Sequence, residues 1–355
     1  MKNIIRITYA LILTALILLS VYLPNIKFAN HKKIETLNIF VWRDLMSPEV
    51  VAQFEEKYDV KVKLYFYTSD EELIMKITHT GCDGYDIIFS SNCMIKPLSE
   101  NNYIKPIDKN RLNFFDTIDA MLINKEFDYE NKYSIPYTWE VLGIAINKAK
   151  LPANFEPSIS KLFTMQATNY DKIVMTPDPL EATILAAHHL FGTTDKLSKE
   201  QIDQIRQLLN RQRQWTEAYT EYRAKYIVAT ENCPIALLKS SFLHHLDMEN
   251  PSIDFCIPKE GVFTSIENIV IGATCDNDDT AYKFINFLYN KDIMDKQLAY
   301  NHMFPPTKDK SQYMHSLGKR YEKILEEIQN RKDIVYISLF IPRDKVYSLW
   351  IDSKT

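Results

Sequence analysis

Three short stretches place carboxylates where they could do chemistry. In Thr176-Pro177-Asp178-Pro179-Leu180-Glu181 the two acids are three residues apart, which puts both side chains near one face of a helix. Carboxylates so placed can grip a primary or secondary ammonium. They can equally start a helix, with Asp178 as cap, Pro179 at the first helical position and Glu181 closing a capping box. The two uses are compatible, because a helix N-terminus favours ionised carboxylates. Trp42-Arg43-Asp44 ends a β-prone run, Leu37 to Trp42. Ligands of open α/β sheets bind beyond the carboxyl ends of strands. There a carboxylate can pair with an ammonium, and an indole can face the cation or lie along its methylene chain. A buried Trp beside a turn Asp is the structural alternative. Glu267 stands directly before the apolar strand Asn268 to Ile271, where a plain surface acid is the alternative.

Other chemistries find little support. There is no GxSxG, no Walker loop and no Cys with an obvious His partner. Scattered acids could be paired as a hydrolase dyad, but nothing selects one pair. The pairs His188-His189 and His244-His245 have no Cys or acid at metal-ligand spacing, and adjacent residues do not face one another on a helix. No metal and no cofactor is expected. The five cysteines are odd in number and include no CxxC, so free thiols are the default, one bridge is possible and no pair is named. Net charge is −4, and without Lys2, Arg6 and Lys27 the remainder carries 39 basic and 46 acidic residues. No basic patch stands out, so nucleic acid is excluded as a partner. Seven glycines argue against Gly-rich phosphate loops, while 21 Tyr, 18 Phe and 4 Trp supply rings for a core or for cation–π contacts.

The elements that must position these residues alternate strand and helix. Ser47-Pro48-Glu49 starts a helix running to about Tyr58 with Val50, Val51 and Phe54 inward. Val60 to Tyr67 is a second strand, Ser69 with Glu72 opens a helix over Asp70 to Thr78, and Tyr85 to Phe89 is a buried strand. This pattern predicts a doubly wound α/β lobe. A second lobe has a strand at Lys172 to Met175 and helices at Glu181 to Phe191 and Ser198 to about Trp215. Val141 to Ile146 and Val262 to Ile271 read as strands crossing between the lobes, followed by helices at Asp279 to Tyr289 and within Gln312 to Arg331. The chain of 355 residues therefore divides into a leading segment 1–30, a first lobe of 35–139 plus 267–311, and a second of 140–266 plus 312–355.

The leading segment reads as targeting. Lys2 and Arg6 precede an uncharged run from Ile7 to Leu23, and Pro24 breaks it. Cleavage after Ala29 and retention as an uncleaved anchor are both open, because the run approaches the roughly 17–25 residues that span a bilayer. Either way the globular part works outside the cytoplasm, in the periplasm.

Tyr133-Ser134-Ile135-Pro136-Tyr137-Thr138-Trp139 completes the pattern. With the strand ending in Trp42, Tyr85-Asp86-Ile87-Ile88-Phe89-Ser90-Ser91, Pro258 to Val262 and the acid before Asn268-Ile269-Val270-Ile271, it resembles the spermidine/putrescine-binding branch of the extracytoplasmic solute-binding proteins from about Leu37 to Phe304. The resemblance implies a two-lobe type II periplasmic-binding-protein fold, no enzymatic activity, a monomer, and delivery of a polyamine to an ABC transporter permease. It implies ligand contacts at Trp42, Asp44, Ser91, Asp178, Glu181, Glu267 and Phe304. Several rings of the family pattern are absent. Cys93 and Ser265 stand where aromatic residues are expected, a Trp is missing around Ala229 to Glu231, and Phe304 replaces a Tyr. An amino acid or small peptide is the alternative ligand, and a signal-anchored carboxylate hydrolase the alternative of another class.

Overall fold

The computed structural model describes residues 2–22, 35–164, 172–229, 233–245, 252–313 and 317–354. The possible cleavage site at Ala29 lies outside them. Helix α1 spans Lys2–Tyr22 with the side chains of Ile5, Ile7 and Leu11 to Leu13 exposed. Among the described residues no helix is long and apolar enough to cross a membrane.

From residue 35 the predicted alternation appears. β1 (Glu35–Trp42), α2 (Pro48–Tyr58), β2 (Val60–Tyr67), α3 (Asp70–Thr80), β3 (Ile87–Ser91) and α4 (Asn92–Glu100) follow in order. β1 lies between β2 and β3 and is parallel to both. Ser69 caps α3 by accepting from the Glu72 amide, but Glu72 reaches back to the Thr68 amide (2.8 Å) rather than to Ser69, so the expected box closes one residue early. Ser47 makes no side-chain cap on α2, and its own amide instead donates to Gln297 Oε1 (3.1 Å).

After the two-residue β4 (Ile104–Lys105) and three single 3-10 turns, β5 runs from Ile135 to Asn147, buried throughout. Ile135 to Trp139 of the tyrosine- and proline-bearing stretch thus begin one long strand that continues through the expected crossing strand at Val141 to Ile146. α5 (Ile159–Thr164), β6 (Ile173–Met175), α6 (Pro179–Phe191), α7 (Lys199–Gln212), β7 (Thr216–Tyr219), α8 (Ala224–Ala229), β8 (Ile235–Lys239) and β9 (Ile253–Cys256) build the far side. There β6 lies parallel to both β7 and β8. β10 (Val262–Gly272) then comes back, followed by α9 (Asp278–Leu288), α10 (Lys291–Asn301), a helix at Lys319–Gln329, β11 (Ile334–Tyr336) and a C-terminal helix at Arg343–Lys354.

One hydrogen-bonded path runs β2-β1-β3-β10-β5-β8-β6-β7. Two parallel triads, β2-β1-β3 and β8-β6-β7, are thus joined by the antiparallel pair β10 and β5. β5 pairs with β10 through Ile135 to Val141 and with β8 through Leu142 to Ile146, so a single strand belongs to both halves. Pro136 sits opposite Asn268, beside a register shift between Glu267 and Asn268, which is where a strand tolerates a residue that cannot donate. β11 adds alongside Val262 to Thr264. The C-terminal helix buries Val346, Leu349 and Trp350, with Trp350 in the core that α6 and α7 share. At the other end of β10, a Cβ on Gly272 would lie 2.2 Å from the Tyr85 carbonyl oxygen, so only glycine fits there.

Candidate functional site: a carboxylate-lined cleft

The carboxyl ends of both triads point at one cavity of about 830 Å³. Trp42 ends β1 and Asp44 follows it, Asp70 follows β2 and Ser91 ends β3. From the other half, Asp178 and Glu181 follow β6, Glu221 follows β7 and Lys239 ends β8. Glu140 and Glu267 enter from the middle of β5 and β10. Six of the seven residues singled out in the sequence line this cavity: Trp42, Asp44, Ser91, Asp178, Glu181 and Glu267. Phe304 does not. It is wholly buried, its ring packs 4.7 Å from Trp139, and its backbone exchanges two hydrogen bonds with Trp139. With no hydroxyl to bring to a polar cleft, this ring is used as core.

The local chemistry sorts the acids. Asp178 caps α6, its Oδ1 accepting from the amides of Leu180 (2.7 Å) and Glu181 (3.1 Å). Glu181 does not close a box. Its Oε2 accepts from Thr176 Oγ1 (2.5 Å) and its Oε1 lies 3.3 Å from Lys239 Nζ. Glu140 is held likewise, Oε2 by Ser241 Oγ (2.5 Å) and Oε1 by Lys239 Nζ (3.5 Å). Ser91 Oγ donates to Asp70 (3.0 Å to Oδ2), as does the Cys93 thiol (3.0 Å). Asp44 is exposed at the rim in a left-handed turn (φ 66°), a conformation aspartate tolerates better than most residues. Glu267 stands at the register shift of β10, a device that re-aims side chains. Among the described residues the buried oxygens Glu267 Oε2 and Glu221 Oε1 have no hydrogen-bond partner.

Burial dominates the titration of the cluster. It pushes the Glu267 carboxyl up to about 8, helped by Asp70 and Glu140. Burial also raises Glu181, Glu221 and Asp70, with Lys239 pulling the first two down and Arg343 the third. Burial opposes the Lys239 ammonium, but Glu181, Glu221, Glu140 and Asp178 outweigh it and hold the amine firmly protonated.

Sequence reasoning missed Lys239, Glu140, Glu221, Asp70 and Arg343. The strand-end rule, applied to the strand read at Val60 to Tyr67, would have found Asp70; Glu221 and Lys239 belong to the ends of β7 and β8, which the sequence reading did not place. Rings also line the cavity from positions outside the family pattern, namely Tyr222, Phe242, Tyr300, Tyr347 and Trp350, while Cys93 and Ser265 leave room where rings were expected. Among the described residues all five cysteines are free thiols and no His, Cys, Asp and Glu cluster could hold a metal ion.

Arg343 brings the C-terminal helix to the first triad, with Nη2 3.6 Å from Asp70 Oδ2 and 3.0 Å from Glu71 Oε1. Removing one partner of a buried ion pair costs about 3–5 kcal/mol. Both Arg343 and Asp70 are near one-fifth exposed (23% and 18%), so solvent screens the loss. Arg343→Met should cost about 2 kcal/mol in urea denaturation; an unchanged midpoint would mean the clasp does not tighten the fold.

The model of the bacterial extracellular solute-binding proteins matches residues 49–323. The chain belongs to that family. Members are solute-binding proteins, not an enzyme class. The spermidine/putrescine-binding periplasmic protein of Escherichia coli K12 is 26% identical over 266 residues, 74% of this chain and 75% of the relative. The putrescine/cadaverine-binding protein of Pseudomonas aeruginosa PAO1 is 24% identical over 270 residues, 72% and 74% of the two chains. In three dimensions this solute-binding protein is similar to the spermidine/putrescine ABC transporter substrate-binding protein of Streptococcus pneumoniae (TM-score 0.73, 22% identity), over 90% of this chain and 98% of that one. Its fold is that of the type II periplasmic binding proteins.

Proposed function

We propose that this solute-binding protein captures a polyamine or related organic cation in the interlobe cleft and delivers it to an ABC transporter permease. One observation carries the reading. The cavity is lined by eight acidic side chains and three basic ones (Arg43, Lys239 and Arg343). A cavity so acidic, with aromatic faces beside it, is complementary to a ligand carrying several ammonium groups on an apolar chain. The polyamine names of the relatives point the same way. Trp42, Asp44, Ser91, Asp178, Glu181 and Glu267 form the contact set in this reading. Residues 35–139 plus 267–311 and 140–266 plus 312–355 act as lobes that close on the ligand, with β5 and β10 as the flexing connection. Segment 1–30 directs export to the periplasm, and the protein works as a monomer.

A thermal-shift screen across putrescine, cadaverine, spermidine, amino acids and sugars tests this, because a ligand of the native state adds RT ln(1 + [L]/Kd) to its stability. Amines should raise the melting temperature and be recovered unchanged. A shift with amino acids or peptides alone would replace the polyamine reading with the other ligand class.

The raised carboxyls add a pH signature. Near neutral pH the empty cleft holds protons that an arriving ammonium must displace, Glu267 first among them with its value of about 8. Amine affinity should therefore rise from pH 6 to pH 8.5, by up to about tenfold per pH unit for each displaced proton. Calorimetric titration in two buffers of different ionisation enthalpy would show the released protons; affinity that is flat with pH would mean the carboxylates are already ionised.

A further inference from the structure

Lys239 is out of place in a cleft built for cations. It ends β8, and its side chain, only 21% exposed, projects an ammonium on a four-carbon stem between Glu181 (3.3 Å) and Glu140 (3.5 Å). Those two acids come from α6 and β5, and together they present the pair of carboxylates that an alkylammonium would seek. All four of their oxygens are engaged: one of each by Lys239, the second of Glu181 by Thr176 Oγ1 and the second of Glu140 by Ser241 Oγ. The contrast with the other buried acids is direct. Glu267 Oε2 and Glu221 Oε1 are shielded from water and have no hydrogen-bond partner among the described residues.

We propose that Lys239 is a resident ligand amine: its ammonium permanently fills one cation position of the cleft and so limits the ligand to a dication, a diamine, whose two ammonium groups satisfy Glu267 and Glu221. This rests on the cation-binding reading above. It narrows that reading by assigning Glu181 and Glu140 to the internal lysine and not to the ligand. A ligand carboxylate directed at Lys239 is disfavoured as well, because Glu181, Glu221, Glu140 and Asp178 already surround the amine. A third ammonium directed at Glu181 and Glu140 would find both carboxylates occupied and like charge beside it.

The test compares putrescine (two charges) with spermidine (three) by calorimetry at one pH and salt, in wild type and Lys239→Met. Wild type should bind putrescine at least as tightly as spermidine. Lys239→Met keeps the stem volume and frees Glu140 and Glu181, so its spermidine-to-putrescine affinity ratio should rise by about tenfold or more. A second arm reads the vacated position alone. In Lys239→Ala, millimolar ethylammonium should raise the melting temperature, or restore folding if the variant is unfolded without it, and should leave wild type unmoved. Spermidine bound more than tenfold tighter than putrescine in wild type, with the ratio unchanged in Lys239→Met, would overturn the proposal. So would ethylammonium having no effect on Lys239→Ala. If wild type binds no amine while ethylammonium rescues Lys239→Ala, the polyamine reading fails and the resident ammonium stands.

Discussion

Glu267→Gln should weaken diamine binding by about 2 kcal/mol at pH 7, roughly thirtyfold, the low end of what truncating one partner of a desolvated charge pair costs. The low end applies because the wild-type carboxyl, pushed up to about 8, must first give up its proton to the solvent. At pH 8.5 most of those protons are gone, and the difference between the two proteins should widen. Stability moves the opposite way. A carboxyl whose value is raised from 4.5 to about 8 by folding binds a proton more tightly in the native state. Its contribution is complete below pH 4.5 and is lost as pH rises through 8. Empty wild type should therefore lose stability over this window, and the glutamine variant should be spared that part of the loss. Titration with putrescine at both pH values, beside melting curves from pH 5 to 9, reads both effects. A variant that binds as wild type does at pH 8.5 would remove Glu267 from the site.

Gly272→Ala should cost about 3 kcal/mol of stability and leave binding untouched. Overpacking a filled site costs about 1–3 kcal/mol, and the top of the range applies because the new methyl meets backbone. It would lie 2.2 Å from the Tyr85 carbonyl oxygen and 3.1 Å from Cys82 Sγ. Relief would have to move the turn before β3, where the Asp86 carbonyl accepts the Gly272 amide (3.0 Å) and the Asp86 carboxylate holds the Asn38 amide (2.7 Å). The strain stays remote from the ligand. Glu267 pairs with Ser91 at the cavity end of β3 and Ile271 with Ile87 at the other, so Gly272 sits about 17 Å along the strand from the site. Urea denaturation should show a lower midpoint with an unchanged slope. A lost affinity below the unfolding transition would contradict this separation.

The contrast between these two positions also marks what a single sequence reveals. Helices α3 and α7 and strand β2 were legible because their caps and alternation are local, Ser198 and Gln201 closing a full capping box, while α2 was legible through Pro48 in its first turn and its inward apolar residues, since Ser47 makes no side-chain cap. Trp42, Asp44, Ser91, Asp178, Glu181 and Glu267 were legible through strand ends, helix starts and family pattern, and all six face one cavity. Glu140 and Lys239 were not. Glu140 sits in a mostly apolar strand, and Lys239 ends one, as many solvated lysines do; only the meeting of β5, β8 and α6 makes them partners. Phe304 misled because position along the chain says nothing of which side of Trp139 its ring takes. Beyond Arg331 the signal fails for a physical reason. β11 has three residues, too few to show a period, and the last helix is held between α6, α7 and the cleft, so no single apolar stripe marks it.

That last helix has a consequence for the order in which the protein becomes competent. Ile337, Leu339, Arg343, Val346, Tyr347 and Trp350 all wall the cavity, and Asn92 Nδ2 donates to the Ile337 carbonyl (2.6 Å). Every acid of the cleft precedes them in the chain. A polypeptide synthesised from its N-terminus therefore assembles the charges first and the wall that shields them from water last. Without Ile337 to Trp350 in place the carboxylates face water, where an ion pair at 4 Å gains about 1 kcal/mol. The low-dielectric surroundings that strengthen such a pair therefore wait on Ile337 to Trp350.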